Sequence, residues 1–300
     1  MIDQHEDGAG AKTAATSGAA HNFTQRLISA AVLAPIGVIC AYAGGWLFLL
    51  ATAAAAVAIL WEWTTLVLHR AEAKVVAPGL AGILAALGFV AAGHPITAIV
   101  AIMLGALISG GATASPLPER HDAGTSLWAA GGTIYAGLAF LGPALLRNDR
   151  TFGLSAILFL FATVWATDIC AYLVGRALGG PLLWQRVSPK KTWSGACGGL
   201  VGGVAAGALV AYASAGTGPV TAGILASLLS IASQIGDLFE SAVKRRFGAK
   251  DASALIPGHG GVMDRLDGFL VAAAVAIVIA VLRHGLAQGL AAPAEGLLLW

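Results

Sequence analysis

Three hundred residues, 58% of them hydrophobic and only 11% charged, exclude a water-soluble globule. The near balance of 17 basic against 15 acidic side chains, a formal net charge of +2, gives no surplus of cations for a nucleic acid partner. The composition describes a chain built to sit in lipid.

Residues 1 to 22 are rich in Gly, Ala, Ser and Thr with no apolar core, so they read as a disordered tail rather than a cleavable signal. A membrane-crossing helix needs roughly 20 apolar residues. Such stretches recur near 27–45, 47–68, 76–93, 95–113, 125–146, 152–175, 196–215, 218–240 and 268–286. The expectation is an all-α, polytopic integral membrane protein with about nine transmembrane helices. It divides into a tail (1–22), a transmembrane scaffold (23–150), a catalytic transmembrane region (151–288) and a short C-terminal tail (289–300).

Charge tests that count, because cytoplasmic loops accumulate Lys and Arg. With nine spans, only Arg147, Arg150 and Arg283 of the 17 basic residues fall on one side. The N-terminus and the basic loops are therefore expected in the cytoplasm. Cys40, Cys170 and Cys197 lie in or beside apolar stretches at unrelated spacings, which gives no disulfide framework or thiolate metal site.

The scaffold is Ala, Leu, Gly and Val with few polar interruptions apart from Glu62 in Trp61-Glu62-Trp63, at the cytoplasmic end of its span. The two tryptophans suit an interfacial belt. Polarity gathers in the second half. Asp168, Tyr172 and Arg176 follow at four-residue steps, a polar stripe that either neutralises itself through Arg176 or walls a cavity. The basic loop Arg186-Val187-Ser188-Pro189-Lys190-Lys191-Thr192-Trp193 comes next, then Gly195, Gly199, Gly203 and Gly207. Four-residue glycine spacing on a membrane helix favours close packing, within or between subunits, over a phosphate loop.

Ser233, Gln234, Asp237, Glu240, Ser241 and Lys244 share one face of the eighth span. A carboxylate inside a bilayer costs about 2.5 to 3.5 kcal/mol, so Asp237 needs a cation, with Lys244 or a metal ion as candidates. Residues 241–267 are the densest polar segment: Lys244-Arg245-Arg246, Lys250, Pro257-Gly258-His259-Gly260-Gly261, and Met263-Asp264-Arg265-Leu266-Asp267. The lysines and arginines alone would suit an anchor on anionic head groups. Asp264 and Asp267 alone would suit a helix N-terminus. A divalent oxygen-ligand site accounts for Asp237, Asp264 and Asp267 together. Carboxylates for metal, cations for phosphate and glycines that expose N–H groups are the parts of phosphoryl or nucleotidyl transfer.

These residues resemble the phosphatidate cytidylyltransferase family. Its signature is matched by Ser241, Val243, Lys244, Arg245, Lys250, Asp251, Ser253, Ile256, Pro257, His259, Gly260, Gly261, Val262, Asp264, Arg265, Leu266 and Asp267. The Gly236-Asp237-Leu238-Phe239-Glu240 run and the Ser188 to Trp193 loop are also similar, so the likeness is strong over roughly 165–270. It implies transfer of a cytidylyl group from CTP to phosphatidate, giving CDP-diacylglycerol and pyrophosphate with Mg²⁺, and suggests a second, monovalent ion. The metal ligands implied are Asp237, Asp264 and Asp168, with Asp267 supporting them or orienting Arg265. Lys244, Arg245, Lys250 and Arg265 would neutralise phosphate, and Asp251 belongs to the same signature. Ser188, Lys190 and Lys191, with Ser241, Gly260 and Gly261, would hold the nucleotide, while His259 is a positional or phosphate-contacting group.

The partners expected are CTP, phosphatidate, membrane lipids and a second copy of the chain in a homodimer, with no nucleic acid. The setting expected is a bacterial cytoplasmic membrane with the site facing the cytoplasm. Two rival functions are a CTP-dependent lipid kinase, which would release CDP, and an ion-coupled transporter. Clustering of the polar groups at helix ends, rather than at mid-bilayer, argues against transport.

Overall fold

The structure, a computed structural model, describes residues 34–113, 123–253, 255 and 260–299. The N-terminal tail, Arg120 and His259 lie outside the described residues. Among the described residues, eight helices are long and apolar enough to cross a membrane. They are α2 (Gly45–Leu68), α3 (Ala73–Ala91), α4 (Pro95–Thr113), α5 (Ala123–Asn148), α6 (Gly153–Leu178), α7 (Trp193–Ala215), α8 (Pro219–Arg246) and α9 (Met263–Ala291). A shorter apolar helix, α1 (Ala34–Ala43), is the described part of the first expected span. It is separated from α2 at Gly44, whose φ of 62° leaves the right-handed helical region. The fold is all-α and polytopic, as expected.

Two features depart from the sequence expectation. Residues 182–192 fold into an antiparallel hairpin of β1 (Leu182–Trp184) and β2 (Ser188–Thr192), pairing Leu182 with Thr192 and Trp184 with Ser188. The basic loop is therefore a presented strand, not an irregular connection. The C-terminal segment, expected as a tail, forms α10 (Pro293–Leu298), with Leu297 and Leu298 fully buried.

The buried side chains form two clusters. Leu60, Trp63, Ile83, Ile102 and Phe140 join α2 to α5 in one, and Phe159, Leu160, Leu225, Leu229 and Leu297 join α6, α8 and α10 in the other. Helix α9 enters both, through Met263 and Leu270 in the first and Phe269, Ala272 and Ala276 in the second. Its start is thus fixed by both halves of the chain.

Helices α6 and α7 pack over their whole length, and the glycine repeat is the reason. A Cβ at Gly195 or Gly199 would lie 2.8 Å from the carbonyl oxygen of Ala171 or Thr167. The repeat therefore serves packing within the chain. At the far end of the bundle, polar groups close helix termini. Asp149 accepts from the Thr151 and Phe152 amides at 3.0 Å and from the Glu295 amide at 3.0 Å, while Arg283 donates to the Gly296 carbonyl at 2.6 Å.

Candidate active site

Four elements bring charged side chains to one cavity of about 790 Å³, whose lining also includes Leu183 of β1 and Gly195 and Ala196 of α7, a size suited to a small-molecule ligand. Helix α6 contributes Asp168, Tyr172 and Arg176, and β2 contributes Ser188, Lys190 and Lys191. Helix α8 brings Gln234 and Asp237, and the first turn of α9 brings Asp264, Arg265 and Asp267. Helical periodicity puts each set on one face, and the end-on arrival of α8 and α9 puts those faces together. The expected stripe of α6 is one wall of this cavity. Arg176 is not the neutraliser of Asp168; it donates to the Tyr172 hydroxyl at 2.8 Å.

Charge pairing inside the site differs from the expectation. Asp237 is paired with Lys191 of the hairpin, not with Lys244. The i to i+7 spacing made Lys244 a candidate, but it lies between two other acids, 2.6 Å from Glu240 and 2.6 Å from Asp264. Glu240 is an i−4 neighbour, one turn away rather than two, and Asp264 approaches from α9. All three side chains are largely buried. Lys244 therefore joins α8 to α9, and Lys190 and Lys191 of the hairpin are among the cations that face the cavity.

Asp264 also organises the connection between α8 and α9. Its Oδ2 accepts from the Ala252 amide at 3.0 Å and the Gly261 amide at 2.7 Å. The Gly261 N–H, read in the sequence as open to an anion, is thus occupied by Asp264. Gly260 has a φ of 80°, and a Cβ there would stand 2.6 Å from Asp264 Oδ2, so only glycine makes this turn without displacement. Asp267 receives the Gly268 amide at 2.7 Å.

Among the described residues, Ser241, Lys244, Arg245, Lys250 and Asp251 do not line the cavity. Arg245 donates to the Ala249 carbonyl at 3.2 Å, and Lys250 and Asp251 are exposed on the connection after α8.

Residues outside the expected site support it. Trp63, expected in an interfacial belt, is buried and donates to the Trp128 carbonyl at 2.9 Å; of the pair, only Trp61 is exposed. The Trp63 ring lies 5.1 Å from Tyr135 and 6.3 Å from Phe239, two residues beyond Asp237. Arg246 stands 5.4 Å above the Trp128 ring. No periodicity marks these aromatics, since they meet from three helices.

The donor set suits a hard cation. Asp168, Asp237, Asp264 and Asp267 offer carboxylate oxygens to one cavity. Among the described residues no three potential ligands stand close enough to form a cluster.

Comparison with known proteins adds a family to this geometry. The chain is 45% identical over 261 residues to a phosphatidate cytidylyltransferase of Brucella suis, covering 85% of this chain and 92% of that one. It is 39% identical over 138 residues to a phosphatidate cytidylyltransferase of Bacillus subtilis, covering 46% and 51%. A phosphatidate cytidylyltransferase of Haemophilus influenzae is 42% identical over 130 residues, 42% of this chain and 45% of that one. The model of the cytidylyltransferase family matches residues 24–282, which take in the whole cavity, and the chain belongs to that family.

Proposed function

We propose that the chain transfers the cytidylyl group of CTP to phosphatidate, releasing pyrophosphate and forming CDP-diacylglycerol. The observation that carries this reading is the cavity walled by four aspartates and by Arg176, Lys190, Lys191 and Arg265. Its family and its 45% identical relative point the same way. An oxygen of the lipid phosphate attacks the α-phosphorus of CTP. The bond from that phosphorus to the bridging oxygen breaks, and pyrophosphate leaves with the electron pair. A phosphate monoester is already ionised near neutral pH, so alignment and charge neutralisation supply most of the rate.

Lys190, Lys191 and Arg265 face the triphosphate in this reading, and Ser188 on β2 contacts the nucleotide. Asp237 and Asp168 would hold a divalent ion, for which Mg²⁺ is the choice given carboxylate donors and phosphate substrates. Asp264, which also lines the cavity, would be a further carboxylate available to it. When bound, the ion supplies positive charge to the phosphates and withdraws electrons from the α-phosphorus. A monovalent companion ion belongs to the same proposal, as do phosphate contacts by Lys244, Arg245 and Lys250.

The site faces the cytoplasm, where CTP is made, and membrane lipids cover exposed apolar side chains such as Val201 and Leu209 of α7. The expected homodimer loses the glycine repeat as its basis, because those glycines pack within the chain. The deciding experiment is turnover of CTP with phosphatidate and Mg²⁺ by the purified protein in detergent. Pyrophosphate and a CDP-lipid are the expected products. CDP with a phosphorylated lipid alcohol would identify a kinase and overturn the reading.

A further inference from the structure

Glu62 is the one charged side chain of α2, and it is fully buried. A carboxylate removed from water is costly unless its oxygens are satisfied. Glu62 is satisfied by a segment 191 to 201 residues away: Ser253 Oγ donates to Oε1 at 2.6 Å, the Val262 amide to Oε1 at 2.9 Å, and the Met263 amide to Oε2 at 2.7 Å.

The two amides have a particular place. Val262 is the N-cap of α9 and Met263 its first residue, and Val262 makes no side-chain cap bond. The start of a helix leaves N–H groups without partners and carries partial positive charge. Valine offers no acceptor for them, and Glu62 provides one from another helix. The backbone can approach because residue 261 is glycine: a Cβ there would lie 2.6 Å from Glu62 Oε1. Asp264 takes the Gly261 amide at 2.7 Å. Glu62 and Asp264 thus hold three successive amides, 261 to 263, immediately before the side chains that enter the cavity.

We infer that Glu62 is a positioning residue: it sets the first turn of α9 and thereby the placement of Asp264, Arg265 and Asp267, while touching no substrate itself. The inference rests on the cytidylyl-transfer reading of the cavity. It assigns the scaffold half of the chain an indirect part in the reaction, through the start of α9.

The test compares the full-length parent, Glu62→Gln, Glu62→Asp, Ser253→Ala and the Glu62→Gln/Ser253→Ala pair, all purified in detergent. Glutamine matches the shape but presents N–H₂ where one amide needs an acceptor. Glu62→Gln should lower kcat by on the order of 10- to 100-fold, the usual effect of losing a supporting partner, with KM for phosphatidate nearly unchanged. Hydrogen exchange at the Val262 and Met263 amides should quicken, while α2 to α5 stay protected. Glu62→Asp, which keeps the charge, should recover part of the rate. Ser253→Ala should show a smaller loss, and the pair should lose little beyond Glu62→Gln, because both act through one contact. Parent-like kcat and exchange in Glu62→Gln would overturn the inference. So would loss of protection throughout α2 to α5 in step with activity, which marks a general role in folding. If the parent makes no CDP-lipid, the functional reading fails, and the placement of α9 in this reaction fails with it. The exchange comparison would still report whether Glu62 holds the turn.

Discussion

Asp237 and Lys191 are the residues on which the site's charge balance turns. They come from a membrane helix and a hairpin strand and pair across the cavity wall. In the proposed reaction Asp237 would be a carboxylate ligand of the divalent ion, and Lys191 a cation facing the phosphates. Asp237→Asn should therefore reduce kcat/KM by on the order of 10²- to 10³-fold, as expected for loss of a group that stabilises developing charge, with thermal stability in detergent little altered. Near-parent turnover of CTP with phosphatidate would remove Asp237 from the metal site. The sequence marked Asp168, Asp237, Asp264 and Asp267 as candidates, the first two as acids in apolar stretches where charge is costly and the last two as acids at helical spacing before the last span, and the structure brings all four to one cavity. Which cation each acid meets was not legible in the sequence. Helical spacing offered Lys244 to Asp237, and only the approach of the hairpin and of α9 assigns Lys191 to Asp237 and Lys244 to Asp264.

The α6–α7 pair carries two walls of the cavity, and its closeness depends on glycines. Gly199 has no room for a methyl group, since a Cβ there would lie 2.8 Å from the Thr167 carbonyl. Gly223 in α8 has nothing within 4 Å of the same position. Gly199→Ala should destabilise the protein by about 1 to 3 kcal/mol through overpacking. Gly223→Ala should be neutral or stabilising by up to about 1 kcal/mol through helix propensity. Thermal unfolding in detergent measures both, and equal effects would contradict the packing described. The glycine period showed in the sequence that a helix face is small. Its partner, α6 of the same chain, follows only from how the helices stack. The hairpin is not legible for a related reason: the twelve residues 181–192, with Pro181, Pro189 and a basic pair, carry no strand alternation, and the pairing of Leu182 with Thr192 supplies the order.

Across the whole molecule, the cavity, the hairpin and the Glu62 contact lie at one end of the bundle, with Asp149, Arg147 and Arg283 at the other. The proposed orientation puts the first end in the cytoplasm. After replacement of Cys40, Cys170 and Cys197, Lys250→Cys should resist a membrane-impermeant maleimide in intact spheroplasts and react once they are permeabilised. Arg150→Cys should react in both states. Labelling of Lys250→Cys from outside would reverse the orientation. Residue order alone specified the membrane class, the approximate spans and the polar segment at 241–267, because burial cost and helical period are local properties readable from neighbours. The two-sided support of α9, the ion-pair partners and the reach of Glu62 to Val262 and Met263 belong to the assembled fold. Those contacts join segments up to 201 residues apart, and no local pattern encodes which of many apolar helix faces will meet.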